Sequence, residues 1–201
     1  MVNKNKMSKK NSNFYIDLKR TYSCYKFSIF ELFAVKSNFF YKQLTKIRTP
    51  YFKNELEVVN IKESDKVLHI GCGICPTHCI LIAENTKARV TGIDNSKKAV
   101  ELARKHIRKL GLNKKINIRL ANGNNFPVEE YTVVFIAINV FPIEGVLKNL
   151  SNNLKPGTRI LCKSIKEEIK DIIETENFKK YFDILKDITN PKTKSYLLIK
   201  K

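Results

Sequence analysis

The densest run of chemically capable side chains in this 201-residue chain is VLHIGCGICPTHCILIAEN, residues 67–85. It places two glycines, three cysteines and two histidines at a strand-to-helix junction. Two chemistries fit. Glycines directly after a strand let the backbone approach a nucleotide. Cysteine and histidine at short spacing are ligands for a metal such as zinc.

The nucleotide reading rests on Gly71 and Gly73, which follow the short apolar strand KVLHI (66–70) at once. A helix begins near Pro76. Proline suits a first helical position, because its missing N–H would be unpaired there anyway. The free N–H groups of that helix end favour an anionic group. A dinucleotide fingerprint wants a third small residue where Pro76 stands, which disfavours NAD and FAD. No GxxxxGK[ST] phosphate loop is present. S-adenosylmethionine (SAM) carries no pyrophosphate and makes smaller demands. Asp94 ends the next strand, where a carboxylate accepts from both ribose hydroxyls; helix capping is its other reading. LANGNNF (120–126) follows the third strand. There Asn124 or Asn125 can bond the adenine edge and Phe126 can pack on its face, with an Asn-Gly turn as the alternative. With the adjacent Cys72 and Asn95, the expected cofactor-binding set is Gly71, Cys72, Gly73, Asp94, Asn95, Asn124, Asn125 and Phe126.

The metal reading rests on Cys72, Cys75 and Cys79, spaced C-x2-C-x3-C, with His69 and His78 beside them. Cys75 and Cys79 share one helix face. A structural zinc site built on such a pair needs a second pair, and only Cys24 and Cys162 remain. Cysteine is also a frequent small buried residue, so plain packing is expected and no metal. Five cysteines, three of them in one loop, make a poor disulfide framework and fit a reducing compartment.

The elements that must position these residues alternate from about Asp65 onward. A helix is expected from about Pro76 to Glu84 and a strand over Arg89 to Ile93. A helix over Ser96 to Leu110 has Ser96 or Asn95 to cap it and Gly111 to stop it. Ala99, Val100, Ala103, Ile107 and Leu110 give that helix one apolar stripe. Ile116 to Leu120 is a third strand. TVVFIAI (132–138) is a fourth, apolar on both faces and so central in a parallel sheet. A helix over Ile143 to Asn153, a strand over Arg159 to Ser164 and a helix near Lys166 to Glu176 follow. Tyr181 to Asp187 and Ser195 to Lys200 then pair as an antiparallel hairpin. Such an order predicts an α/β fold with a doubly wound, mostly parallel sheet covered on both faces. Ligands of such sheets sit beyond the strand carboxyl ends where the strand order switches, and the glycine-rich stretch lies there.

Residues 1–60 differ from the rest. They hold twelve of the twenty aromatic residues and no glycine. The first dozen positions are polar and lysine-rich. Phe27, Phe30, Leu32, Phe33 and Phe40 then recur near helical spacing, and Thr49-Pro50 should close this region, because the residue before proline resists helix. The chain therefore divides into a basic, aromatic helical extension (1–60) and an α/β domain (61–201). The extension either packs on that domain or caps its site.

With 43% hydrophobic residues the chain can bury a core and is not of disordered composition. No apolar run is long enough to cross a bilayer, and the N-terminus lacks the apolar segment of a secretion signal. A cytoplasmic protein with no membrane partner is expected. A formal net charge of +19 would attract nucleic acid, yet most of it is lysine spread along the chain. A small-molecule acceptor is the first expectation for a partner and nucleic acid the alternative. Oligomeric state stays open.

From about Asp65 to Lys201 the sequence resembles the class I SAM-dependent methyltransferases, through VLHIGCG (67–73), GID (92–94) and NLKPGTRIL (153–161). The resemblance implies a seven-strand Rossmann-like sheet whose last strand inserts antiparallel. It also implies SAM as cofactor and in-line attack of an acceptor on the sulfonium methyl, which needs mainly positioning. Asn139, Phe141 and Pro142, after strand four, are the substrate-side candidates. Asn139-Val140-Phe141-Pro142 is similar to the NPPY-type loop of amino-group methyltransferases, with a loop-capping amide as the other reading of Asn139. His69 stands where the family usually has an acidic residue, Cys75 where a third glycine is common, and Asn124 where an Asp often contacts adenine. GCGICPTHCILIA (71–83) is also similar to the glycine-proline loop of nicotianamine synthase and its archaeal relatives, matching at Gly71, Gly73 and Pro76. Those enzymes share the fold, carry an N-terminal helical region and transfer the aminocarboxypropyl group of SAM to an amine. The expected function is a SAM-dependent methyltransferase of open acceptor. An aminocarboxypropyl transferase and an RNA methyltransferase or RNA-binding protein on the same fold are the alternatives.

Overall fold

Seven strands form one sheet in the computed structural model, which describes residues 28–164, 168–189 and 193–201. The readings made for the polar tail, Cys24, Phe27 and the ends of the last helix and hairpin lie partly or wholly outside those residues. The strands are β1 (Lys66–Ile70), β2 (Arg89–Asp94), β3 (Ile116–Leu120), β4 (Val133–Ile136), β5 (Arg159–Ser164), β6 (Phe182–Thr189) and β7 (Lys194–Lys200). Their order is β3-β2-β1-β4-β5-β7-β6. β1 to β5 are parallel, and β7 runs antiparallel between β5 and β6. The chain builds outward from β1 through β2 to β3, then returns to the other side of β1 with β4. That reversal opens a crevice above the carboxyl ends of β1 and β4.

Six helices cover the sheet among the described residues: α1 (28–36), α2 (Asn38–Val59), α3 (Thr77–Thr86), α4 (Lys97–Lys109), α5 (Ile143–Asn153) and α6 (Glu168–Ile173). All four residues of β4 are buried, as a strand with apolar side chains on both faces requires. One core layer joins α2, α3 and α4 to the sheet through Phe52, Ile80, Ile82, Ile107 and Phe135. The other joins α5 and α6 through Leu147, Leu150, Ile169, Ile136 and Tyr196. Ser96 caps α4, its Oγ accepting from the Ala99 N–H at 3.3 Å, and Gly111 follows with φ +69°. No helix of the described residues is long and apolar enough to cross a membrane.

Two local expectations need correction. Pro50 does not close the N-terminal region, because α2 runs through it to Val59. Proline removes one backbone donor, the one that would meet the Lys46 carbonyl in a regular helix. Burial of Phe52, Glu55, Leu56 and Val59 beyond the proline then outweighs the local preference. Pro76 is the N-cap of α3 rather than its first helical residue, with ψ 57°.

The end of α2 is fastened to the sheet. Arg159 Nη1 donates to the Val59 and Asn60 carbonyls at 2.7 and 2.6 Å. Its Nη2 lies 2.7 Å from both Asp65 carboxylate oxygens. One guanidinium on β5 thus fixes where α2 hands over to β1.

Candidate functional site

A cavity of about 1040 Å³ lies over the carboxyl ends of β1, β2 and β4. Its floor is the glycine-rich stretch. Gly71 and Gly73 have φ of +78° and +71°, conformations that cost other residues energy. A Cβ at Gly71 would lie 2.6 Å from Val140 Cγ2, and one at Gly73 2.8 Å from Glu31 Oε2. The Gly71 and Cys72 N–H groups donate to the Ile93 carbonyl at 2.8 and 3.0 Å, tying the loop to β2. Bare backbone is therefore a steric requirement at the cavity floor.

Asp94 stands at the tip of β2. Its Oδ2 accepts from the Gly73 N–H and its Oδ1 from the Ser96 N–H, both at 2.9 Å. Each carboxylate oxygen has two acceptor positions, so both keep capacity for a further donor. Gly71, Cys72, Gly73, Asp94, Asn95, Asn124, Asn139, Phe141 and Pro142 all border the cavity, joined by Asn122 and Gly123. The Phe141–Pro142 peptide is cis.

Asn125 and Phe126 do not border it. Phe126 is buried instead, its ring 6.1 Å from that of Tyr131 and the Arg119 guanidinium 5.2 Å from its centroid. Asn149 of α5 pulls this loop inward, donating from Nδ2 to the Gly123 and Phe126 carbonyls at 2.9 Å each. A buried amide with two carbonyl acceptors fixes the turn, and the aromatic ring follows it into the core.

Cys72, Cys75, Cys79 and Cys162 are free and buried. Burial pushes the Cys75 thiol up to about 11 and those of Cys79 and Cys162 up to about 12. In this packing the thiol form is favoured, because burial penalises the thiolate. Among the described residues, no group of three or more His, Cys, Asp and Glu is placed to hold a metal ion.

Two clusters went unread in the sequence. Glu31 of α1 reaches the glycine-rich stretch, its Oε2 accepting from the Ile74 and Cys75 N–H groups at 3.1 and 3.4 Å. Arg48 of α2 holds its other oxygen at 3.1 Å and donates to Thr77 Oγ1 at 3.3 Å. Two N–H groups of the loop before α3 are thus met by a carboxylate of the chain itself. The second cluster is a polar chain beneath the cavity. His69 Nε2 lies 3.2 Å from His78 Nδ1, and His78 Nε2 lies 3.1 Å from Lys163 Nζ. Lys163 Nζ is 2.8 Å from Glu55 Oε2, and Glu55 Oε1 accepts from Ser195 Oγ at 2.7 Å. Burial, then the Lys163 charge, bring His69 down to about 3 and hold His78 well below the usual histidine range. The sequence signal for this cluster was Lys163, a charge directly after the apolar run Ile160-Leu161-Cys162 of β5.

The family model described as "Methyltransferase domain" matches residues 61–197. The 24-methylenesterol C-methyltransferase 3 of Arabidopsis thaliana is 27% identical over 134 residues, covering 59% of this chain and 37% of that protein. The chain spans less than half the length of the curated relatives it matches, 37% and 41%. Among solved structures, a point variant of MtNAS in complex with S-adenosylmethionine superposes with a TM-score of 0.72 at 20% identity. It covers 94% of this chain and 75% of that one. An RNA methyltransferase from Salinibacter ruber in complex with S-adenosyl-L-homocysteine gives a TM-score of 0.62 at 20% identity, over 75% of this chain and 90% of that one.

Proposed function

The chain belongs to the methyltransferase domain family, and we propose that it is a SAM-dependent methyltransferase acting on a small-molecule acceptor. The observation that carries this reading is the bare, left-handed backbone at Gly71 and Gly73, faced by Asp94 across the cavity floor. Bare backbone at both glycines, beside an Asp94 carboxylate that keeps acceptor capacity, fits the cofactor. Asp94 would hold its ribose and Asn124 its adenine edge. Asn139, Phe141 and Pro142 would border the acceptor side. When bound, SAM supplies an electrophilic methyl on a sulfonium. The chain's own task is to align the acceptor and exclude water, which Val140, Phe141 and the α1–α2 cover serve. Residues 1–60 would act as the cover and 61–201 as the cofactor domain.

A second reading is aminocarboxypropyl transfer from SAM to an amine. Two observations favour it. α1 and α2 carry Glu31, Arg48 and Tyr51 into the cavity, and the likeness to MtNAS extends over 94% of the chain against 75% for the RNA methyltransferase. Incubation with SAM and cell extract separates the two. S-adenosylhomocysteine as by-product supports methyl transfer; methylthioadenosine supports the second reading. An RNA acceptor, suggested by the charge of +19, would instead show salt-dependent RNA binding.

A further inference from the structure

Lys163 lies deep in the crevice, on the strand beyond β4. Each element packed around it presents a defined group. α2 supplies Glu55, Arg48 and the Phe52 ring, whose centroid is 5.6 Å from Nζ. α3 supplies His78, and β1 supplies His69 behind it. β7 supplies Ser195, bonded to Glu55, with Lys194 next along the chain. β4 supplies the apolar Phe135 stacked on His69, and α1 supplies Glu31 on the far side of Arg48.

Taking Lys163 Nζ as the donor sets the remaining hydrogen-bond directions. His78 Nε2 accepts from Lys163, so its proton is on Nδ1 and is donated to His69 Nε2. His69 then carries its own proton on Nδ1, which has no partner. Both rings are neutral, and their facing lone pairs are occupied. Lys163 Nζ spends two N–H groups on Glu55 Oε2 and His78 Nε2. Its third tetrahedral position is left to the cavity that Lys163 borders. In an ammonium that position is an N–H; in a free amine it is a lone pair.

We propose that Lys163 is the general base of the transfer reaction: it rests as the ammonium held by Glu55, gives its third proton to solvent through the cavity, and in that free-amine state takes the proton of the acceptor nucleophile on Nζ. This rests on the SAM-dependent transferase reading. The acceptor's lone pair forms the new bond to carbon as the carbon–sulfur pair leaves with the neutral thioether. The acceptor's proton goes to Nζ. The resulting ammonium is held by the Glu55 carboxylate 2.8 Å away, and Ser195 keeps that carboxylate in place. Burial lowers the lysine's affinity for a proton, and Glu55 pulls it partly back, leaving it below the ordinary lysine range. That is the condition a lysine base needs.

The test begins with protein labelled with 13C at lysine Cε, titrated by NMR. The Lys163 signal is identified by its absence in Lys163→Arg. It should titrate below the other lysines, and lower still in Glu55→Gln, which removes the charge that pulls it back. Lys163→Gln should cut product formation from SAM and cell extract by about 100-fold or more, with the SAM dissociation constant by calorimetry unchanged within about twofold. A Lys163 signal that titrates with the other lysines overturns the base role, as does full turnover in Lys163→Gln. Wild-type protein that binds no SAM overturns the transferase reading itself. SAM binding with an ordinary Lys163 overturns the base alone.

Discussion

Arg48 holds Glu31 against the glycine-rich stretch, its Nη1 and Nη2 donating to Oε1 at 3.1 and 3.2 Å while Oε2 receives the Ile74 and Cys75 N–H groups. One carboxylate thereby bridges α1, α2 and the cavity floor. Burial raises the Glu31 carboxyl above its usual range, and Arg48 with the two loop N–H groups pulls it partly back. Arg48→Ala removes that opposition and leaves a buried acid without its charge partner. We expect a stability loss of about 1–3 kcal/mol in urea denaturation. Arg48→Lys should recover only part of it, because a single ammonium cannot reproduce the planar fork. Identical denaturation midpoints for wild type and Arg48→Ala would show that the contact contributes nothing in solution.

Asp94 serves both the loop and the proposed ribose site. Its two oxygens already receive the Gly73 and Ser96 N–H groups, so its position does not depend on ligand. Asp94→Ala should weaken SAM binding about 10- to 100-fold by calorimetry, the range for hydrogen bonds to a charged acceptor. Equal affinity in the two proteins would remove Asp94 from the site.

The sheet was legible because its signals are local. A five-residue apolar strand, two glycines and a capped amphipathic helix each declare themselves within a short window, and β1, β3, α5 and β5 fall on the expected residues. That Gly71, Gly73 and Asp94 meet at one cavity was legible for the same reason. Each lies where a strand ends, and the fold puts strand ends together. Glu31, Arg48, Glu55, His78 and Lys163 were not, since their meaning lies in pairings across as many as 140 positions (Glu55 with Ser195). Phe126 misled because turn chemistry predicts where the backbone bends but not which way a ring on it points. That direction is set by Asn149, more than twenty residues away. Pro50 misled because a helix anchored by buried Phe52, Leu56 and Val59 tolerates the loss of one backbone donor.

Gly71 tests the cavity floor without touching a charge. Its φ of +78° costs an L-residue about 1–2 kcal/mol, and an added methyl would also meet Val140 Cγ2 at 2.6 Å. Gly71→Ala should therefore lower unfolding stability by at least about 1 kcal/mol and abolish detectable SAM binding. The double variant Gly71→Ala with Val140→Ala should regain part of the stability, because it removes the clash, but not the backbone cost. A double variant no more stable than Gly71→Ala would mean that the loop simply moves away from Val140.

The buried histidines set the acid stability of the molecule. His69 is lowered by burial and then by Lys163, to about 3; His78 is lowered by burial, Lys163 and His69; His106 is lowered by burial and Lys109. In the unfolded chain each ring binds a proton near pH 6.5. Between pH 6.5 and the folded-state value, the unfolded state therefore holds more protons than the native one. Stability rises with pH across that window and falls as the solution is acidified. At about 1.4 kcal/mol per pH unit, His69 alone should cost on the order of 2 kcal/mol on going from pH 6.5 to 5. Urea midpoints measured at pH 7.5 and pH 5 should differ accordingly. The difference should shrink in His69→Phe, whose ring can keep the stacking on Phe135 seen at 6.3 Å, and shrink further when His78 is also replaced. Midpoints that fall equally in wild type and both variants would show that these rings take up protons in the folded state, and the neutral His69–His78 pair would have to be abandoned.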